Sequence, residues 1–168
     1  MLKIFKAKPN PDGKDKFDGV SPVAKQRVAG EWVDIKNESL FEKINLDGLE
    51  LCVADENHEA KLDWKIVFKF PVGGDFALGP EKTVRIHAGD MISQFALLPE
   101  DRDNADFHLY TQSGYFLHNK LEQHIGLWCT VKEKWIDRCH YEAYPPEGEI
   151  LYRTDGKLSY KQMGDRGY

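Results

Sequence analysis

The sequence predicts an all-β fold, either a sandwich or a barrel. Short runs of alternating apolar and polar residues recur along most of the 168-residue chain, and turns rich in glycine or proline separate them. Closely spaced short strands of this kind are typical of β-sandwiches and β-barrels. We find no internal sequence repeat, which argues against a propeller or a solenoid.

The first 22 residues are expected to form a lead-in segment. Lysines are concentrated there, at positions Lys3, Lys6, Lys8, Lys14 and Lys16. A solvated, flexible segment is the simplest interpretation of such a cluster, and contact with an anionic partner is the alternative.

The stretch 30–37 is predicted to be the first strand of the folded domain. Val33 and Ile35 share one face of a period-two strand, and the opposite face carries Trp32, Asp34 and Lys36. Because this second face is not apolar as a whole, we expect it to lie on the exterior of the sheet.

Three further strands are predicted in the first half of the chain. Leu49–Val53 alternates and ends in a turn at residues 55–58, and the run 62–70 follows. In that run one face carries Leu62, Trp64, Ile66, Phe68 and Phe70, so we expect Trp64 in the core. Thr83–His87 is the third strand, with Arg85 and His87 pointing outward.

In the second half of the chain, a segment without strand-like alternation is followed by further predicted strands. Ile92–Leu98 is predicted to form a short helical turn, and residues 101–106 a charged, solvated loop. Strands are expected within 107–110, 115–117, 125–131 and 135–141. Asp155-Gly156 between two β-rich runs indicates a hairpin, and the last five residues are expected to fray.

The three cysteines, Cys52, Cys129 and Cys139, do not suggest a disulfide framework. Their number is odd and their spacings are long, so free and mostly buried thiols are expected. A zinc site formed by Cys139-His140 with Cys129 and His124 is the alternative. It is disfavoured because neighbouring residues of a strand point to opposite faces.

Six segments resemble, in order, those of the lamin tail domain family. They are Gly30–Asn37, Ile44–Leu51, Phe68–Pro71, Leu78–Gly89, His108–Thr111 together with His118–Lys120, and Trp135–Tyr141. The chain is similar to a stand-alone member of the prokaryotic type. The resemblance implies an immunoglobulin-like β-sandwich over residues 23–145, followed by a C-terminal β-hairpin extension and tail over 146–168.

The chain also departs from the family pattern. Glu81 stands where the family usually has a turn glycine, and residues 132–134 replace a turn that contains glycine. We therefore expect the later loop to be longer or bulged. In function, the resemblance implies a non-catalytic interaction or scaffolding module, without catalytic residues or cofactors.

Five residues are the candidate contact residues: Trp32, Asp34, Lys36, His118 and His124. Trp32 is included because exposed aromatic residues are enriched at interfaces. The two histidines, together with Asn119, form the densest group among the six histidines of the chain. A calcium loop at Asp101, Asp103 and Asp106 is disfavoured, since the glycine and the terminal glutamate of an EF-hand are absent.

A protein is the expected partner, and the chain is not expected to be an enzyme. The first alternative is an accessory domain of a hydrolase or nuclease system that uses the region from His118 to His124. The second is weak nucleic-acid binding, which the formal net charge of −5 disfavours. No stretch is long and apolar enough to span a membrane, and the start of the chain lacks the apolar run of a signal peptide, so a cytoplasmic or otherwise intracellular protein is expected.

Overall fold

The all-β class is confirmed by a computed structural model, which describes residues 1–12, 22–55 and 64–160. The strands are β1 (Leu2–Lys8), β2 (Trp32–Asn37), β3 (Ile44–Asn45), β4 (Leu49–Asp55), β5 (Lys65–Lys69), β6 (Ala77–Leu78), β7 (Thr83–His87), β8 (Phe107–Tyr110), β9 (Gln123–Cys129), β10 (Lys134–Tyr141), β11 (Leu151–Thr154) and β12 (Lys157–Ser159). The helices are α1 (Pro22–Ala29) and α2 (Pro99–Arg102), and a 3-10 turn covers Gln94–Ala96.

Ten of these strands form one curled sheet. Their order is β5-β4-β9-β10-β12-β11-β1-β2-β7-β8, and β3 pairs separately with β6. The pairs β7–β8 and β10–β12 are parallel, and the others are antiparallel. Apolar residues from both halves of the sheet, such as Ile35 and Leu127, pack in one core cluster, so the core lies inside the curl. The opposite side of the sheet is called its exterior face below.

The C-terminal hairpin is confirmed, and it joins the two halves of the sheet. Thr154 pairs with Lys157, which leaves Asp155 and Gly156 as a two-residue turn. Asp155 adopts a left-handed conformation with a φ of 55°. Because β12 pairs with β10 and β11 pairs with β1, the hairpin is an internal part of the sheet.

The prediction of a flexible lead-in is wrong for Leu2–Lys8. This segment is β1, which lies between β11 and β2, and the side chain of Lys8 is only 1% exposed. Leu2, Ile4 and Ala7 reach the core, and a register shift between Ile4 and Lys6 allows their uneven spacing. Because of this irregular spacing, the apolar residues of β1 do not alternate regularly, and its lysines suggested a solvated segment instead of a strand.

Two bulges change which side chains share a face. A register shift in the β4–β5 pairing places Trp64 and Ile66 in an exterior cluster, whereas Phe68 and Phe70 join the core. The prediction of one continuous face is therefore wrong, and its first member, Leu62, lies outside the described residues. The β9–β10 register also shifts between Trp135 and Asp137, so this second bulge lies within β10 and not in the loop at residues 132–134 where one was expected.

The turns and helices only partly follow the sequence expectations. The helical turn predicted over residues 92–98 is confirmed as the 3-10 turn, but α1 was not predicted. The segment 115–117 is not a strand, although Phe116 and Leu117 are buried in the core. Glu81 has a φ of 61°, the left-handed conformation that a glycine adopts without steric cost.

Candidate functional site

Trp32 and Asp34 lie on the exterior face of β2 but are buried, so the predicted exposed contact surface is wrong. Arg85 of β7 lies opposite Asp34, and its Nε and Nη2 atoms donate to the Asp34 carboxylate at 2.7 and 2.9 Å. The Arg85 guanidinium carbon is 3.6 Å from the centroid of the Trp32 ring. All three residues are at most 1% exposed.

The segment 90–106, called the covering segment, buries this face. Asp101 of α2 accepts hydrogen bonds from Lys8 Nζ at 2.7 Å and from Trp32 Nε1 at 2.9 Å. Arg85 Nη1 donates to the backbone oxygens of Asp101 and Asp103 at 3.0 and 2.9 Å. The prediction that Asp101 belongs to a solvated loop is therefore wrong, because its carboxylate is fully buried.

Lys8, Trp32, Asp34, Arg85 and Asp101 together form a buried polar layer. Burial raises the pKa of Asp34, and the hydrogen bonds from Arg85 oppose that rise. Burial likewise raises the pKa of Asp101, and Lys8 opposes it. Because two cations face two carboxylates, the layer neutralises its own charge and holds the covering segment on the sheet.

His87 extends this layer: it lies on the exterior face, as predicted, but it is also buried. Its Nδ1 is 2.6 Å from the backbone oxygen of Ala29, and its Nε2 is 2.7 Å from His108 Nδ1. Since a carbonyl oxygen only accepts, the proton of His87 is assigned to Nδ1, and its Nε2 accepts from His108. Burial lowers the pKa of His87 to about 3, so its imidazole is neutral at pH 7.

Lys36 lies at the far end of β2 and is half-buried. Its Nζ is 4.7 Å from the centroid of the Phe5 ring, and its cross-strand neighbour is Lys3 of β1. The structure therefore separates Lys36 from the buried polar layer, and the three candidates of β2 do not form one exposed surface.

His118 is half-exposed and pairs with Asp55 at the end of β4. Its Nε2 is 2.7 Å from Asp55 Oδ1, and Gln123 Nε2 donates to the same oxygen at 3.2 Å. The Gln123 side-chain oxygen in turn accepts from the backbone N–H of His118 at 2.7 Å. These bonds fix the loop before β9 against β4.

His124 lies in a different environment, on the exterior face of β9. Its ring stacks on His140 of β10 with centroids 5.2 Å apart, and Glu122 Oε1 is 3.3 Å from its Nε2. His118 and His124 therefore have different partners. The structure does not bring them to one carboxylate as an acid–base pair.

His124 belongs to a cluster of aromatic rings on the exterior face, which we call the exterior aromatic cluster. Its members are Trp64, Trp128, Trp135, His124 and His140. The Trp135 ring lies 4.6 Å from Trp64 and 5.0 Å from Trp128, measured between centroids. Trp64 is buried beneath its neighbours, whereas Trp128 and Trp135 are partly exposed.

The cluster depends on the pairing of β9 with β10. Trp128 and Trp135 are cross-strand partners, and Gly126 provides the space beneath the Trp135 ring. A glycine inside a strand often marks the close approach of another group. The available sequence signal was therefore Gly126 together with the two tryptophans on either side of the turn, and because this signal spans two strands, the alternation within one strand does not reveal it.

A groove of about 580 Å³ lies between the two edges of the curled sheet. One wall consists of four consecutive residues of β5, namely Ile66, Val67, Phe68 and Lys69, and the other of Tyr110, Thr111 and Gln112. Since β5 and β8 are the terminal strands, the sheet remains open along this side within the described residues. We refer to this feature as the edge groove.

The cysteines are free and buried, as predicted. Burial raises the pKa of Cys139 to about 12, which leaves its thiol protonated and unreactive at pH 7. In the described parts of the chain, no group of three or more His, Cys, Asp or Glu side chains is arranged to hold a metal ion.

No protein-family model matches the chain, and a search of curated proteins finds no match. Over residues 1–12, 22–55 and 64–160, none of the helices has the length and apolar character needed to cross a membrane.

Proposed function

We propose that the protein is a non-catalytic interaction module that binds another protein through its exterior aromatic cluster. The observation that carries this proposal is the pair of partly exposed tryptophans, Trp128 and Trp135, packed side by side on one sheet face. Tryptophan and arginine are enriched among the residues that dominate binding energy at protein interfaces.

The neighbourhood of the two tryptophans fits this role. Arg138 is exposed beside them, with its guanidinium carbon 5.5 Å from the centroid of the Trp135 ring. Trp128 and Trp135 pack against the buried residues Trp64, Cys52 and Ala54, so the two partly exposed rings are held by a rigid sheet. A preformed aromatic surface loses little side-chain entropy when a partner binds.

The buried polar layer is a weaker candidate for the site. Its charged groups pair with one another and lie under the covering segment. The net charge of −5 also favours a protein partner over a phosphate backbone. The ordered resemblance to lamin tail domains supports an interaction role, and we propose membership of that family on the same basis.

Site-specific photo-crosslinking tests the proposal. A benzoylphenylalanine at position 138, beside Trp135, should label a discrete partner in an extract of the native host. The same group at position 25, exposed on α1, is the matched control and should not label that partner. Trp128→Ser in the position-138 protein should abolish the labelling while thermal unfolding shows a folded chain.

The opposite pattern would contradict the proposal. If positions 138 and 25 label the same proteins to the same extent, the aromatic cluster is not the contact surface. Undiminished labelling in the folded Trp128→Ser protein would lead to the same conclusion.

A further inference from the structure

The edge groove exposes the edge of β5 rather than one of its faces. Neighbouring residues of a strand point to opposite faces, yet four consecutive residues, 66–69, line the groove. Only the edge of a strand borders all of them at once. The wall of the groove therefore includes the backbone of β5.

A backbone donor of this edge can be identified from the pairing with β4. Phe70 donates its N–H to the backbone oxygen of Leu49 at 2.9 Å. Successive N–H groups of a strand point to alternate sides, so the N–H of Lys69 points away from β4 and toward the groove. Among the described residues no strand pairs with this side of β5, and an unpaired strand edge is a template for another strand.

The walls of the groove also suit an extended polypeptide. Val67 and Phe68 pack against the main core, so one side of an added strand would cover apolar surface. On the other side, Ile66 packs against the exterior cluster that contains Trp64. An added strand would therefore be continuous with the surface that carries Trp128 and Trp135.

The charge of the edge indicates which partner it accepts. Lys65 and Lys69 stand at the two ends of β5, and both are exposed. Self-association through this edge would bring the four lysines of two copies together, and lysines at a sheet edge oppose such pairing. Acidic side chains on an incoming strand would instead be attracted.

We propose that the edge groove binds an extended, acidic segment of a partner protein, which adds to β5 as a further strand. This inference rests on the proposed interaction function and specifies how the partner binds. Backbone hydrogen bonds to β5 supply affinity, and the lysines together with the apolar wall select the sequence.

Selection from a phage-displayed library of random 12-residue peptides tests this inference. Enriched peptides should alternate β-branched or aromatic residues with polar ones and should carry Asp or Glu. The best synthetic peptide should protect the amide of Lys69 from hydrogen exchange. Lys69→Pro should weaken its binding roughly tenfold or more, since it removes the edge donor and places a ring there.

Lys69→Gln is the matched control, because it removes the charge but keeps the N–H. It should weaken binding much less than Lys69→Pro at 150 mM salt, where an exposed ion pair contributes little. The isolated protein should remain monomeric in light scattering. Dimerisation abolished by Lys69→Pro would instead identify a second copy as the occupant and overturn the proposal.

Other outcomes separate this inference from the proposed function. If Lys69→Pro leaves peptide binding unchanged, or if enriched peptides are basic, strand addition to β5 is wrong. If crosslinking from position 138 still depends on Trp128 in that case, the interaction function stands without it. Loss of the position-138 crosslink with retained peptide binding would contradict the aromatic surface instead.

Discussion

The ring of Trp135 lies directly over Gly126, on the neighbouring strand of the exterior face. A Cβ atom at position 126 would come within 2.5 Å of Trp135 Cζ3 and within 2.9 Å of its Cε3. Side-chain carbons do not approach so closely, and the indole is a rigid group. The absence of one methyl group in β9 therefore determines where a tryptophan of β10 lies.

Gly126→Ala is expected to displace Trp135 and to lower the free energy of unfolding by about 1–3 kcal/mol, a typical cost of overpacking. Urea unfolding measures the loss, and near-ultraviolet circular dichroism reports the changed tryptophan packing. Gly114→Ala is the control, since a Cβ at position 114 has no neighbour within 4 Å. Equal effects of the two substitutions would argue against this contact.

Lys8→Met is expected to destabilise the protein by about 3–5 kcal/mol, because it leaves the buried Asp101 carboxylate without its cation. Asp101 Oδ2 already has no hydrogen-bond partner among the described residues, which adds to the penalty. Chemical denaturation measures the change. In the double variant Lys8→Met/Asp101→Leu, part of the stability should return.

The control for that experiment is Lys3→Met on the same strand. Lys3 Nζ is 3.6 Å from Glu38, and both side chains are about one-third exposed, so the pair should contribute less than about 1 kcal/mol. If Lys3→Met and Lys8→Met lower the free energy of unfolding by similar amounts, burial does not strengthen the contribution of the Lys8–Asp101 pair.

Stability is expected to decrease as the pH falls from about 6.5 toward 3, partly through His87. Its pKa in the folded protein is about 3, below the ordinary value of 6.5, so the unfolded chain binds the proton first. The stabilisation by neutral His87 is thus complete above pH 6.5 and is lost on acidification. Its size is on the order of 5 kcal/mol, since the two pKa values differ by about 3.5 and each unit corresponds to about 1.4 kcal/mol.

His87→Gln removes this titration. Although the variant should be less stable at pH 7.5, its free energy of unfolding should depend less on pH between 6.5 and 4. The ring signals of His87 in the folded wild type should not titrate above about pH 4 in NMR spectra. A titration midpoint near 6.5 would show that the imidazole is accessible to solvent.

The strands of the sequence analysis were predictable wherever alternation was regular. β2, β7 and the C-terminal hairpin follow from local patterns such as Val84-Arg85-Ile86 and the Asp155-Gly156 turn. β1 escaped detection because its apolar residues change phase at a bulge and its lysines suggested solvent. A bulge moves the following residues to the opposite face of the strand, and the alternation of apolar and polar residues does not show where this happens.

The candidate site was predicted less well, because burial depends on distant segments. The predicted face of Trp32 is correct, since its side chain points away from the main core. Its predicted exposure is wrong, because the covering segment packs over it. That contact joins residues 69 positions apart. Likewise, Trp135 contacts Trp64 only because β9 and β10 assemble beside β4 and β5.

The position of β1 has a consequence for synthesis on the ribosome. β1 emerges before the other strands that the structure describes, yet one of its edges pairs with β11, which is made more than 140 residues later. Until β11 emerges, a nascent sheet containing β1 and β2 presents that edge to other chains. The order of synthesis thus leaves a period in which off-pathway association competes with completion of the sheet.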